Sequence, residues 1–245
     1  MRNIYDTVIV GSGSAGSILA NRLTEDPNKN VLLIEAGNDY SNLEYMPENV
    51  YYGHANLDMP ASQELDPHNW AYKAESTKDG PLIRIPRGKV IGGSSSINAL
   101  VYHRGDKSDY DDWSKKVNKD WSYDNLKQYF ESYENSSQKN DSFRSNSISN
   151  KLSISNPWNV YHPLKYNFLD SISQLQLLTS KEGFLNGEGI GPYLITTKKG
   201  KRHSSAKAFL EPSKSRSNLT VLSETTVKKI NFKNKTAISV TCEIG

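Results

Sequence analysis

A glycine-rich turn between a short apolar strand and an amphipathic helix constrains the fold most. The turn reads Gly-Ser-Gly-Ser-Ala-Gly over 11–16, directly after the β-branched run at 4–10. Apolar residues recur at helical spacing over 14–24, and the apolar run at 31–34 predicts a second buried strand. The order strand, helix, strand predicts a βαβ unit with a parallel sheet, and therefore a Rossmann-like α/β fold.

Each glycine of this turn has its own physical role in binding a dinucleotide. Gly11 permits the tight turn, Gly13 lets the backbone approach a pyrophosphate, and Gly16 lets the helix lie close to the strand. The N–H groups of the first helical turn, beginning at Ser14, have no helical partner and suit a diphosphate. Glu35 follows the second strand, 19 residues after Gly16, where its carboxylate can accept hydrogen bonds from ribose hydroxyls. This pattern predicts an ADP-containing cofactor without separating FAD from NAD.

A second segment, rich in glycine and serine, reads Gly-Lys-Val-Ile-Gly-Gly-Ser-Ser-Ser-Ile-Asn over 88–98. Its backbone N–H groups and hydroxyls suit a second face of a diphosphate or the edge of a flavin ring. A flexible linker is the simpler interpretation. Because apolar residues flank the segment on both sides, however, its ends are expected to be buried. We therefore predict that residues 92–98 and the end of the first strand share one cleft.

The rest of the chain gives weaker signals of local structure. Helices are predicted near Ser108, where Ser-Asp-Tyr-Asp resembles a capping box, and after Ser122. The tail predicts strands at 219–222, 227–232 and 236–244, with a turn at 234–235. The only cysteine, Cys242, is predicted to be a strand residue that cannot form an internal disulfide.

Charge and composition exclude several classes of partner. Thirty basic and 27 acidic residues leave a net charge of +3 without a dense basic stripe, so nucleic acid is not a predicted partner. No stretch approaches the ~18 apolar residues of a membrane span, and no secretion signal is recognised, so a cytoplasmic location is expected. Because no Cys/His cluster has metal-ligand spacing, no metal site is predicted.

The segment at 88–98 resembles the first signature of the glucose-methanol-choline (GMC) oxidoreductases. The resemblance extends over most of the chain, including the motifs at 69–72, 104–106, 187–189 and 202–206. It implies a Rossmann-like FAD-binding domain with a central parallel sheet, part of a substrate domain, and a chain that is truncated relative to the family. The implied divisions are 1–105 for the first part of the FAD-binding domain, 106–202 for a partial substrate region with a Ser/Asn-rich loop at 135–156, and 203–245 for the return segment of the FAD-binding domain.

The resemblance also implies cofactor contacts. The pyrophosphate would lie on Gly11, Gly13, Ser14 and Gly16, the adenosine ribose on Glu35 beside Ala36, and the adenine against the backbone of Val227. The flavin would lie on Val90, Gly92, Gly93, Ser94, Asn98, Ala99, Leu100 and Val101. Members that attach FAD covalently use a histidine just before the signature asparagine. Since Ile97 stands there, FAD is expected to be bound non-covalently.

The implied reaction is hydride transfer from an alcohol carbon to flavin N5, with FAD supplying the redox chemistry. The family's catalytic histidine lies in a C-terminal segment that has no counterpart in these 245 residues, so no residue here is predicted to be the catalytic base. His54, His68 and His162 are predicted to be surface or packing residues. His103 and His203 adjoin family motifs without matching the catalytic position.

Two other interpretations stay open. The chain could be a truncated or split-gene FAD-binding module that needs a partner chain carrying the C-terminal part for activity. Alternatively, it could be an NAD-dependent dehydrogenase that uses only the turn at 11–16, although this leaves the segment at 92–98 unexplained. In every case the predicted substrate is a small molecule.

Overall fold

The computed structural model describes residues 4–40, 45–52, 62–136, 150–157, 162–180, 183–184 and 189–245. Most of the predicted Ser/Asn-rich loop at 135–156, the motif residues 187 and 188, and His54 lie outside these ranges. The chain divides into two compact units, Met1–Ala99 with Lys201–Gly245, and Leu100–Gly200. None of the helices in the described ranges combines the length and apolar character needed to cross a bilayer.

Short helices are interspersed among the strands along the chain. The first unit begins with β1 (Thr7–Val10), α1 (Ser14–Leu23), β2 (Val31–Ile34), α2 (Glu48–Tyr51), β3 (Tyr72–Glu75) and β4 (Leu82–Ile85). The second unit contains β5 (Val101–Tyr102), α3 (Lys107–Lys116), α4 (Tyr123–Tyr133), β6 (Glu134–Ser136), β7 (Leu152–Ile154), α5 (Leu164–Ser173), β8 (Leu194–Ile195) and β9 (Thr197–Lys198). The first unit then resumes with β10 (Lys201–Arg202), α6 (Glu211–Ser213), β11 (Leu219–Leu222), β12 (Thr225–Lys233) and β13 (Thr236–Ile244).

A three-stranded parallel sheet of order β1-β2-β11 forms the centre of the first unit. The register aligns Val31 of β2 with Thr7 on one side and with Leu219 on the other. All four residues of β2 are buried, which explains why this strand is a continuous apolar run and does not alternate with polar residues. The predicted βαβ unit is therefore confirmed, although its first strand begins at Thr7 and not at residue 4. This strand was predicted to be buried, but Val8 and Val10 are exposed because β1 is an edge strand of the described sheet.

Helix α1 and the return segment cover one face of this sheet. The main core cluster joins Ala20 of α1 to Val31 and Leu33 of β2 and to Ala206 and Leu210. The last two belong to a π-helical turn over Ala206–Leu210. Because this turn follows the whole second unit in the chain, the first unit is completed only when the return segment packs back onto α1 and β2.

The last two strands form an antiparallel hairpin, as the sequence predicted, and Cys242 lies in β13. Its turn places Asn234 at φ +47° and Lys235 at φ +68°. Two-residue hairpin turns with positive φ at both central positions match the twist of the strands, and they favour Asn followed by Gly. The lysine therefore occupies a backbone conformation that costs roughly 1 kcal/mol for most residues other than glycine.

Replacing Lys235 with glycine is expected to stabilise this hairpin. The gain should be about 0.5 kcal/mol, because removal of the left-handed strain is partly offset by the greater freedom of glycine in the unfolded chain. Urea unfolding should show a higher midpoint for Lys235→Gly. The matched control, Lys233→Gly, makes the same change at the last residue of β12, where the backbone is extended and glycine should lower the midpoint. A lower midpoint for Lys235→Gly would contradict the turn geometry.

In the second unit, helix α3 begins earlier than the sequence pattern suggested. Asp106 is the N-cap, and its side chain and that of Asp109 form a capping box with each other's backbone N–H groups. The prediction of a box starting at Ser108 was wrong by two residues, because an aspartate precedes the serine and caps at least as well. Helix α4 follows Ser122 as predicted.

A buried ion pair stabilises the second unit. The Nε atom of Arg104 donates to Oε1 of Glu134 at 2.8 Å, and the hydroxyl of Tyr102 donates to the same carboxylate. Burial, and then the bond to Glu134, raises the pKa of Tyr102 above its ordinary value. The guanidinium of Arg104 also lies over the ring of Phe130, at 5.6 Å from the centroid. These contacts tie β5 and its following loop to the end of α4.

Candidate dinucleotide-binding site

The glycine turn connects the end of β1 to the N-terminus of α1. Gly13 is the N-cap of α1 at φ −60°, and the space where its Cβ would lie is open to 4 Å. Gly16 has no such space, because a Cβ there would lie 2.0 Å from the carbonyl oxygen of Gly11. Helix α1 therefore lies against the turn, while the backbone at Gly13 stays accessible to a ligand. The N-terminal N–H groups of α1, starting at Ser14, suit an anion.

Glu35 lies at the carboxyl end of β2 and is only 4% exposed. Its Oε2 accepts hydrogen bonds from the backbone N–H of Ser12, at 2.8 Å, and from the Ser12 hydroxyl, at 2.6 Å. Its Oε1 accepts from the N–H of Gly37 at 3.0 Å. A carboxylate offers about four acceptor positions, so the three bonds leave capacity for one more donor. The predicted bond from Glu35 to a ribose hydroxyl, and the contact at the half-buried Ala36, stay predictions.

The second glycine-rich segment lies directly beside the first. The backbone N–H of Gly92 donates to the Ser12 hydroxyl at 3.2 Å. Gly93 adopts φ +53°, and a Cβ there would approach Cα of Gly13 to 2.8 Å. Ser12 thus joins three parts of the site, namely the turn at 11–16, the acid that follows β2 and the turn at 92–96. The two segments therefore meet, while a cleft that they share stays a prediction.

The serines of the second segment divide into two groups. Ser95 and Ser96 stabilise the turn internally, since the Ser95 hydroxyl donates to the carbonyl of Gly92 and the Ser96 hydroxyl to that of Ile91, at 2.6 and 2.7 Å. Ser94, Asn98 and Ala99 are exposed. The three hydroxyls therefore differ in exposure, although the hydroxyl of Ser94 also bonds to the backbone, accepting from the Gly88 N–H at 3.1 Å.

The remaining predicted cofactor contacts have diverse surroundings. Val90 is buried in a small core cluster with Val50 and Ile97. Val227 lies in β12, whose start is joined to the end of β2 by the bond from the Thr225 N–H to the Glu35 carbonyl, at 2.9 Å. Leu100 and Val101 belong to the second unit, where Val101 is exposed and the Leu100 carbonyl accepts from the Thr196 N–H. The contacts of Val90, Leu100 and Val101 with a flavin, and of Val227 with the adenine, stay predictions.

Each histidine in the described ranges is bonded to neighbouring protein groups or is buried. His68 is buried, with Nδ1 at 2.6 Å from Asp66 Oδ1 and Nε2 at 2.6 Å from the Tyr40 hydroxyl, and it is therefore a packing residue, as predicted. His103 and His162 accept bonds from backbone N–H groups two residues ahead. His203 is buried within the return segment.

Three residues that sequence analysis missed now stand out. Ser12 and Gly37 hold the Glu35 carboxylate, and Arg202 binds the segment at 92–98. A hydroxyl between the two glycines of the first turn was the available signal for Ser12. For Arg202 the only signal in the sequence was its place in a family motif, because its partners are about a hundred residues away in the chain.

The βαβ unit, its glycine turn and the adjoining second segment define the chain as an α/β protein of the Rossmann type. The family model described as GMC oxidoreductase matches residues 5–245, and the chain belongs to this family. The resemblance stated from the sequence is thereby confirmed.

Individual relatives agree with this assignment. The chain is 36% identical over 253 residues to the oxygen-dependent choline dehydrogenase of Vibrio vulnificus (strain YJ016), with 100% of this chain and 43% of that protein covered. Pyridoxine 4-oxidase from Mesorbium loti has a TM-score of 0.80 at 32% identity, covering 98% of this chain and 46% of that one. An FAD-dependent oxidoreductase from Chaetomium thermophilum has a TM-score of 0.79 at 26% identity, covering 98% and 42%. The chain spans less than half the length of the curated relatives it matches.

Proposed function

We propose that this chain is the FAD-binding portion of an oxidoreductase that acts on the CH–OH group of an alcohol. The observation that carries the proposal is the contact between the two glycine-rich segments through Ser12, at 3.2 Å from the Gly92 N–H. The first segment offers the N–H groups at the start of α1 to a diphosphate. The second segment lies against it, with the N–H groups of Gly92, Gly93 and Ser95 bonded within the protein. A cofactor with a second, larger ring system beyond its ADP half makes use of both.

The residues fit FAD better than NAD. The turn at 11–16 and Glu35 serve any ADP-containing cofactor, so they do not discriminate. The segment at 92–98 is held in a fixed conformation by its own serines and by the return segment, which an NAD-dependent enzyme of the simple Rossmann type would not require. The FAD-dependent oxidoreductase from Chaetomium thermophilum, with a TM-score of 0.79, gives further support.

When bound, FAD would supply the hydride acceptor for alcohol oxidation. The part of the reaction assigned to this chain is to hold the cofactor. The N-terminus of α1 and the open backbone at Gly13 would receive the pyrophosphate, Glu35 would receive the ribose, and the exposed Ser94 and Asn98 would face the flavin. Ile97, at the position before Asn98, is buried and has no nucleophilic atom, so the cofactor would be held non-covalently.

The substrate class follows from the relatives alone. Two of the three named above are a choline dehydrogenase and a pyridoxine oxidase, and choline and pyridoxine both carry a CH–OH group. No histidine in the described ranges is placed as a free base beside the segment at 92–98. We therefore propose a small-molecule alcohol as the substrate and assign the proton-abstracting group to a part of the enzyme outside this chain.

The second candidate function is a cofactor-binding module without independent catalysis. It is favoured by the coverage, since the chain matches 43% of the Vibrio choline dehydrogenase. Activity would then require a second chain that supplies the C-terminal part. Anaerobic bleaching of bound FAD by choline or by a simple primary alcohol, with this chain alone, would exclude this candidate and also the assignment of the proton-abstracting group to a part outside this chain.

Thermal unfolding with and without cofactor tests the proposed function. FAD at about 100 times its dissociation constant should stabilise the protein by about 2.7 kcal/mol, which is a rise in melting temperature of roughly 5–10 °C for a chain of this size. NAD at the same concentration should give a smaller rise, because it uses only the ADP part of the site. The flavin absorbance should stay with the folded protein on gel filtration and should be released by denaturation. A rise with NAD and none with FAD would overturn the proposal.

A further inference from the structure

A buried arginine is bonded to the segment at 92–98. Arg202, in β10 directly before the return segment, is 6% exposed. Its Nη1 donates to the Ser95 carbonyl at 3.1 Å and to Oδ1 of Asn98 at 2.8 Å, while its Nη2 donates to the Asn98 carbonyl at 2.9 Å. Its Nε donates to the Val50 carbonyl at 3.1 Å. Three of the four acceptors thus belong to one turn.

The charge of this guanidinium is not balanced locally. No carboxylate in the described ranges forms an ion pair with Arg202, and all four of its acceptors are neutral oxygens. Burial lowers the pKa of Arg202 to about 10, so the group is still a cation at neutral pH. An unpaired buried cation is costly unless its donors are well used. If this side chain only filled space, an apolar side chain would stabilise the fold more.

The guanidinium fixes the orientation of the Asn98 amide as well as the backbone. Because arginine only donates hydrogen bonds, the atom of Asn98 that faces it is the carbonyl oxygen Oδ1. The amide nitrogen of Asn98 is therefore turned away from Arg202. Asn98 is exposed, so its orientation bears on whatever binds at this surface.

The return segment, which follows Arg202 directly, holds the turn at a second point. The N–H of Ser205 donates to the Ser95 hydroxyl at 3.0 Å, and this hydroxyl in turn donates to the Gly92 carbonyl at 2.6 Å. A turn with two glycines and three serines would otherwise be flexible, and a ligand would have to order it on binding. Ordering it in advance removes that cost.

We propose that Arg202 is a positioning residue, which holds the 92–98 turn and the Asn98 amide in the conformation that receives the flavin. The inference rests on the proposed function, because it assigns the flavin to this turn. The cofactor site therefore depends on Arg202, which lies more than a hundred positions after the turn. Arg202 does not have to contact the cofactor for this role.

The test compares Arg202→Lys and Arg202→Gln with the same changes at Arg216. Arg216 is a suitable control because its Nη1 donates to the Asn21 carbonyl and to the Thr24 hydroxyl, at the C-terminal end of α1 in the same unit. Lysine keeps the charge at 202 but has one nitrogen, which cannot reach all the acceptors. We expect the FAD dissociation constant to rise roughly tenfold or more for Arg202→Lys. In Arg202→Lys without cofactor, the amide hydrogens of 93–98 should exchange faster than in the parent chain without cofactor.

The Arg216 variants should lower the melting temperature while FAD affinity and exchange at 93–98 stay as in the parent chain. If Arg202→Lys binds FAD with parental affinity, the inference is overturned and the proposed function stands. Failure of the parent to bind FAD would overturn the proposed function. In that case the exchange measurement, which needs no cofactor, still decides whether Arg202 orders the turn. If the amides of 93–98 in Arg202→Lys are as protected as in the parent chain, Arg202 does not order the turn. Should Arg202→Gln not fold, the lysine variant alone decides.

Discussion

Replacing Gly16 with alanine is expected to destabilise the first unit severely and to abolish FAD binding. The added Cβ would lie 2.0 Å from the Gly11 carbonyl oxygen and 3.3 Å from Cγ2 of Ile9. The nearer obstacle is backbone, which cannot move aside as the end of a side chain can. Helix α1 must therefore shift away from β1, and Ala20 loses its place in the core. Overpacking of this kind costs about 3 kcal/mol or more, which corresponds to a fall in melting temperature of roughly 6–12 °C.

Gly13→Ala is the matched control for this prediction. Nothing lies within 4 Å of a Cβ at Gly13, and its φ of −60° suits alanine. The melting temperature without cofactor should therefore hardly change. The methyl group would stand where the pyrophosphate has to approach the backbone, so FAD affinity should fall. Circular dichroism melting and FAD titration separate the two effects. A Gly16→Ala protein that melts like the parent would contradict the close contact of α1 with the turn.

The parts of the fold that sequence analysis predicted are those governed by local pattern. Neighbours a few residues apart determine the apolar run at 31–34, the helical spacing over 14–24 and the strand signals of the tail. Even there, details of the ends were wrong, as at α3, where Asp106 displaced Ser108 as the N-cap. A choice between adjacent capping residues depends on backbone geometry, which composition does not determine.

The parts that sequence analysis missed are governed by contacts between distant residues. Spacing alone predicted that Glu35 would follow the second strand, but not that the Ser12 hydroxyl would occupy one of its oxygens and also accept from Gly92. Arg202 binds Asn98 across 104 positions. No periodicity links residues so far apart, so only the fold reveals that the two halves of the first unit build one site together.

Replacing Glu35 with glutamine is expected to have the second large effect. Three donors converge on the carboxylate, two of them from Ser12 on one oxygen and the Gly37 N–H on the other. A carboxamide has one oxygen and one NH2 group, so in either orientation its NH2 group meets a donor and leaves it unsatisfied. An unsatisfied buried group costs about 1–3 kcal/mol, and the bonds that persist lose the contribution of the negative charge. We expect a loss of about 3 kcal/mol in the free energy of unfolding, measured by urea unfolding without cofactor.

The matched control is Glu25→Gln, which makes the same change to a surface carboxylate. Glu25 pairs with Arg22 at 2.8 Å, and both side chains are about half exposed, at 51% and 42%. Exposed pairs of this kind contribute about 0.5 kcal/mol or less, so Glu25→Gln should unfold almost like the parent. Because the comparison needs no cofactor, it separates the structural role of Glu35 from its proposed role in binding the ribose. Equal urea midpoints for the two variants would mean that the Ser12 and Gly37 bonds contribute little, and that Glu35 is held in place by packing alone.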